Sequence, residues 1–147
     1  MLTQRKRKNS GSEGRAARLA AVRDALANLR GLAVGRIAFR TGRLVVWLRS
    51  ADGHEPELAL RFLGVAAFRD DGIAGRDLSN GQADLAGPWG RAIAASEARP
   101  ELADCLQVDF WSERDRSQPM LQVLARDVRV FAGAALTQPD RIWTAKN

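Results

Sequence analysis

The chain has 147 residues, 46% of them hydrophobic, and a formal net charge of +6. That length favours one domain around a single core, and no apolar run approaches the roughly 18–20 residues of a membrane span. Cys105 is the only cysteine and His54 the only histidine, which excludes an internal disulfide and zinc sites built from Cys and His.

Charge is unevenly spread. Residues 1–18 hold six of the 23 basic groups (Arg5, Lys6, Arg7, Lys8, Arg15 and Arg18) and one of the 17 acids, Glu13. That stretch is therefore +5 and the remainder +1. Met1 to Gly14 is polar and without apolar periodicity, so residues 1–14 read as a flexible basic arm. Ser10 and Glu13 have capping-box spacing. No apolar core of a signal peptide follows the charged start, and the expected location is the cytoplasm. Arginine outnumbers lysine by 20 to 3, a bias expected of a GC-rich bacterial genome.

Leu19, Val22, Leu26 and Leu29 recur at three- and four-residue steps and predict a helix over Arg15–Arg30, with Gly31 as its cap. The helix is expected to pack on the chain's own sheet. VGRIAFR and RLVVWLRS follow as strands joined by a tight Thr41-Gly42 turn. The second is apolar on both faces, as expected of a strand covered on both sides. ELALRFLG alternates, with Leu58, Leu60 and Phe62 on one face and Glu57, Ala59 and Arg61 on the other, as in a half-buried antiparallel strand. VAAFRDDG begins another short strand or a helical turn.

From Ile73 to Gly87 the pattern fades into a loop with a turn at Asn80-Gly81. Pro88 then starts a short helix to about Ala98, with Trp89 and Ile93 inward. Cys105–Trp111 reads as a strand and SERDRSQ as a charged loop. PMLQVLARDVRVFAG reads as two strand runs, or one strand bent near Arg126-Asp127. The last residues are irregular, with Ile142 and Trp143 docking back. The expected class is α+β, one domain over 15–147. An antiparallel sheet of about five or six strands packs against the N-terminal helix, with a second short helix.

The chemistry on offer is sparse. Asp70, Asp71 and Asp77 cluster near a turn and Glu55 and Glu57 flank a proline, but Arg69 and Arg76 interleave with the acids as in a self-neutralising loop. An enzyme would need Asp70, Asp71 or Glu57 buried together. His54 sits in an exposed turn, and Cys105 reads as a small buried side chain. No phosphate-binding or dinucleotide-binding glycine pattern occurs. No metal and no cofactor are expected.

RLVVWLRSADGHEPELALRFLGVAAFRDDGI, residues 43–73, contains strand, polar turn and strand running into F-x-G-V-x-x-F. It resembles small uncharacterised bacterial α+β proteins, some of them immunity proteins encoded beside secreted toxins. The resemblance covers about a fifth of the chain and implies no functional residue. The expected function is a non-enzymatic protein-binding module, contacting its partner through Trp47 on a sheet face and through Arg69, Asp70, Asp71, Arg76, Arg114 and Arg116 in two loops. Two alternatives stand beside it. One is weak, nonspecific nucleic-acid binding through Arg5, Lys6, Arg7 and Lys8. The other is a small-molecule or lipid-binding protein with an apolar cavity between helix and sheet.

Overall fold

A computed structural model describes residues 2–145, with side chains from Gly14 onward. Helix α1 runs Leu2–Ala27. It begins before the predicted Arg15 and takes in the backbone of the basic run. The apolar stripe faces the core, with Leu19 partly buried and Val22, Leu26 and Leu29 buried, but the helix ends at Ala27, short of the expected Arg30 and its Gly31 cap, so Leu29 lies past its end. Each such side chain contributes about 1.5–3 kcal/mol on leaving water. Arginines on the same helix fasten it. Arg18 holds Asp127 through Nη2 at 2.6 Å and Nε at 3.1 Å, Arg15 donates to the Arg126 carbonyl at 3.1 Å, and Arg23 donates to the Ala83 carbonyl at 3.1 Å.

Eight antiparallel strands follow: β1 (Leu32–Arg40), β2 (Arg43–Ser50), β3 (Pro56–Leu63), β4 (Ala67–Asp70), β5 (Leu78–Leu85), β6 (Leu106–Ser112), β7 (Leu121–Ala125) and β8 (Asp127–Ala132). They form two four-stranded sheets, ordered β1-β2-β3-β8 and β4-β7-β6-β5. This corrects the single sheet of five or six strands expected from the sequence. The division arises at two breaks. Gly64, with φ +59°, turns β3 into β4, and Arg126 turns β7 into β8. Pairing persists through the corner, where the Arg126 amide donates to the carbonyls of Leu63 and Gly64 at 3.0 and 3.3 Å. One bent strand pair therefore serves both sheets. On the opposite side β1 meets the segment before β5 through an Ala33–Asp77 bridge.

Between the sheets lies one core containing Leu44, Val46, Leu48, Leu60 and Phe62 from the first and Val108, Phe110, Leu121 and Val123 from the second. Helix α1 packs against β5 and β8 and so spans a seam between the sheets.

Strand β5 lies where the sequence reads as a loop. Asn80-Gly81 is not a turn but part of that strand, beside an irregularity between Leu78 and Asn80. Gly81 is required by packing: a Cβ there would lie 2.7 Å from Leu26 Cδ2 and 3.0 Å from Leu29 Cδ1. Thr41-Gly42 is the tight turn expected, with φ of +46° and +76°, the sign pattern that matches strand twist in two-residue hairpins.

Helix α2 (Pro88–Ser96) starts at its proline, but it buries Gly90 and Ala94 rather than Trp89 and Ile93. A tight 3-10 turn, Pro100–Asp104, follows it. Cys105 is half-buried; burial, Asp104 and Glu101 push its thiol pKa up.

The C-terminus closes over the outer face of the first sheet. A 3-10 turn, Gly133–Thr137, leads to helix α3 (Pro139–Thr144). Ile142 and Trp143 dock as expected, packing with Val45, Trp47, Ala59 and Phe131 in a second small core. Arg61 and Ala59 were expected to face solvent; both are fully buried under this cap. Arg61 donates to the Ile142 carbonyl at 2.8 Å and Arg43 to that of Trp143, so two cations meet the carbonyl end of a helix. Burial, then the charges of Arg129 and Arg43, lower the Arg61 pKa to about 10 against the opposing pull of Asp127, which leaves it charged at neutral pH.

Candidate interaction site

Strands β4 and β6 each end in a polar loop, and the structure brings the two loops together. The segment 70–77 and the segment 112–120 are tied by backbone bonds from the Asp71 amide to the Met120 carbonyl (2.8 Å) and from the Glu113 amide to the Asp77 carbonyl (2.9 Å). Asp70 accepts the amides of Gly72 and Ile73, both at 3.0 Å, so its carboxylate shapes its own loop. Ile73 is fully buried and anchors that loop in the core. On the other loop, Ser112 Oγ accepts the Asp115 amide at 3.3 Å. Asp115 in turn accepts the Ser117 hydroxyl and amide, bonds that hold its carboxyl below the usual aspartate range.

Six of the seven protein-contact residues expected from the sequence lie on these loops or at their edge. Arg69 pairs with Asp71 at 2.9 Å, and Arg116 with Glu113. These exposed pairs add little stability but occupy both cations locally. Arg76 and Arg114 instead line two adjoining crevices of about 200 and 250 Å³. Gly75, Asp77, Ser112 and Glu113 complete one; Asp71, Asp115 and Met120 are among the residues of the other.

Trp47, the seventh, is elsewhere. It sits mid-strand in β2 on the outer face of the first sheet, only 8% exposed, with Trp143 edge-on at 6.1 Å. The chain's own cap covers the face that was expected to meet a partner. Arg5, Lys6, Arg7 and Lys8 fall on the backbone of α1; their side chains lie outside the described residues.

The carboxylates considered for acid–base chemistry are not buried together. Asp70, Asp71 and Glu57 are exposed, and Glu57 lies on β3 in the other sheet. The space between α1 and the sheets, where a ligand cavity was expected under the lipid-binding alternative, is filled by Val22, Leu26 and Leu29. Among the described residues, no group of three or more His, Cys, Asp and Glu side chains is placed to hold a metal ion, and no helix is long and apolar enough to cross a membrane.

Sequence reasoning missed a buried polar cluster on the outer face of the second sheet. Asp109, 7% exposed, accepts from Gln107 Nε2 at 2.9 and 3.1 Å and from Gln122 Nε2 at 3.1 Å. Burial raises its pKa, the two glutamine bonds oppose that, and the charge of Asp84 adds to it. Alternation in β6 marked Leu106, Val108 and Phe110 as core but could not show that Gln107 and Asp109 are buried as well. Their cover includes α2, whose Gly90 amide donates to Gln107 Oε1 at 3.1 Å.

No protein-family model, curated protein sequence or solved structure matches the chain.

Proposed function

We propose that the protein is a non-enzymatic binding module that recognises another protein through the rim formed by residues 69–77 and 112–120. The observation that supports this reading is the joining of two loops far apart in sequence into one braced surface, with Arg76 and Arg114 facing a common crevice. Loops held on a rigid sheet body are suited to recognition because little ordering entropy remains to be lost on binding. Two guanidiniums set among Asp71, Asp77, Glu113 and Asp115 suit a partner loop that presents charges of both signs, with its carboxylates gripped by the paired N–H donors of arginine. Immunity-type recognition of a toxin is the specific form suggested by the resemblance of residues 43–73.

The test is capture from lysate of the source cell with and without nuclease treatment, followed by identification and direct titration of what is retained. The wild-type chain is compared with the double variant Arg76→Glu, Arg114→Glu and with a chain lacking residues 1–14. A direct protein partner kept by the truncated chain and weakened at least a hundredfold by the double reversal is the expected result. Capture that disappears with nuclease, or with residues 1–14, replaces this reading with nucleic-acid association.

A further inference from the structure

The outer face of the first sheet carries a second, chemically different hollow. It has a volume of about 480 Å³ and is lined by Gly35, Arg36, Trp47, Arg49, His54 and Pro56 from the sheet side, with Leu136 and Pro139 from the C-terminal cap. We infer that this hollow is a binding site for a small organic anion, a carboxylate or phosphate attached to a flat apolar group.

The backbone builds the site. The β1–β2 pairing slips between Val34 and Arg36, leaving Gly35 as the extra residue. The β2–β3 pairing slips between Leu48 and Arg49, leaving Glu57 unmatched between Leu58 and Pro56. Two irregularities therefore flank one short stretch of sheet. Such bulges re-aim side chains and open the strand surface, and here they accompany two arginines on a single face.

The two guanidiniums are held in different ways. Arg36 lies over the Trp47 ring, 5.0 Å from its centroid. A guanidinium held over a ring face is restrained in position while its N–H donors can still meet an anion. Arg49 is pinned through Nη1 to the carbonyls of Ser50 and Gly53 at 3.1 and 3.2 Å, so its head is positioned before any ligand arrives. His54 adds a third donor on the rim. The residues lining this hollow include no carboxylate; Glu55 and Glu57 line a neighbouring one beyond Pro56 and Leu136. Cationic donors set beside proline and leucine, with Pro56 directly across the strands from Arg49, match a ligand with an anionic head and an apolar body.

The chain supplies its own reporter. His54 is its only histidine, so the imidazole signals in a proton NMR spectrum belong to one residue beside the site. The full-length protein is titrated with phenyl phosphate, benzoate and inorganic phosphate. Saturable movement of the His54 signals by phenyl phosphate or benzoate is expected, and the tighter of the two identifies the head group. Arg36→Gln, at an exposed position, should weaken binding roughly tenfold or more while lowering the thermal midpoint by no more than a few degrees, the size of one exposed cation–π contact. Arg76→Gln, on the loop rim, should leave it unchanged, which separates this site from the protein-binding surface. The proposal is overturned if no probe saturates by about 10 mM, well beyond millimolar affinity, or if Arg36→Gln binds as tightly as the wild type. Equal affinity for inorganic phosphate and phenyl phosphate would remove the role given to the apolar wall.

Discussion

Gly81 and Asp109 show how much single positions owe to the surfaces laid over them. Gly81 has an ordinary backbone conformation and could carry a side chain in an isolated strand, but Leu26 and Leu29 of the helix segment occupy the space. Gly81→Ala is expected to cost about 1–3 kcal/mol through overpacking, read as a lower urea midpoint at unchanged slope. An unchanged midpoint would mean that α1 does not press on β5 in solution. Asp109 gives a pH signature. Its carboxyl titrates above the ordinary aspartate range, so the folded chain binds more protons than the unfolded chain between the two values. The stability this confers is fully present below the unfolded pKa and is lost as pH rises through the folded one. Wild-type stability should therefore fall, relative to Asp109→Asn, as pH is raised above about 4, the ordinary aspartate value. Parallel urea-unfolding curves over that range would show that the carboxyl is not desolvated.

At the scale of elements, the C-terminal cap determines what the first sheet presents. Without it, Val45, Ala59 and Phe131 would line an apolar face framed by arginines. With it, Trp143 packs on Trp47, Arg40 stacks on Trp143 at 4.5 Å, and the buried Arg61 finds a helix carbonyl. Trp143→Ala is expected to cost about 3–5 kcal/mol, the usual range for losing a buried aromatic, and to increase binding of a hydrophobic dye. Thermal melts and dye fluorescence measure the two effects. A loss below about 1 kcal/mol, typical of a surface substitution, would mean that the cap is only loosely seated. The helices divide the remaining work: α1 braces a seam between the sheets, whereas α2 covers polar side chains of the second.

For the whole molecule, the legible part was the part that local pattern controls. Alternation in β2, β3 and β6, the three- and four-residue stripe of α1, the Thr41-Gly42 turn and the proline start of α2 all report on which face of an element is buried. Strand β5 escaped because its outward residues are polar and its inward positions include Gly81 and Ala83, small residues that give a weak apolar signal yet are chosen by contact with α1. The loop rim was half legible. Charged loops identified Arg69, Asp70, Asp71, Arg76, Arg114 and Arg116, but their meeting depends on strand order.

The α+β class, the antiparallel strands, the core face of most elements and the two charged loops were set by the order of residues alone, because these follow from residue spacing along short segments. Long-range packing was needed to divide the strands into two sheets at Gly64 and Arg126, to lay the cap of residues 133–144 over Trp47 and Arg61, and to gather Arg36, Arg49 and His54 around one hollow. Those outcomes rest on contacts between segments tens of residues apart, where burial is set by what another element covers and not by the residues on either side.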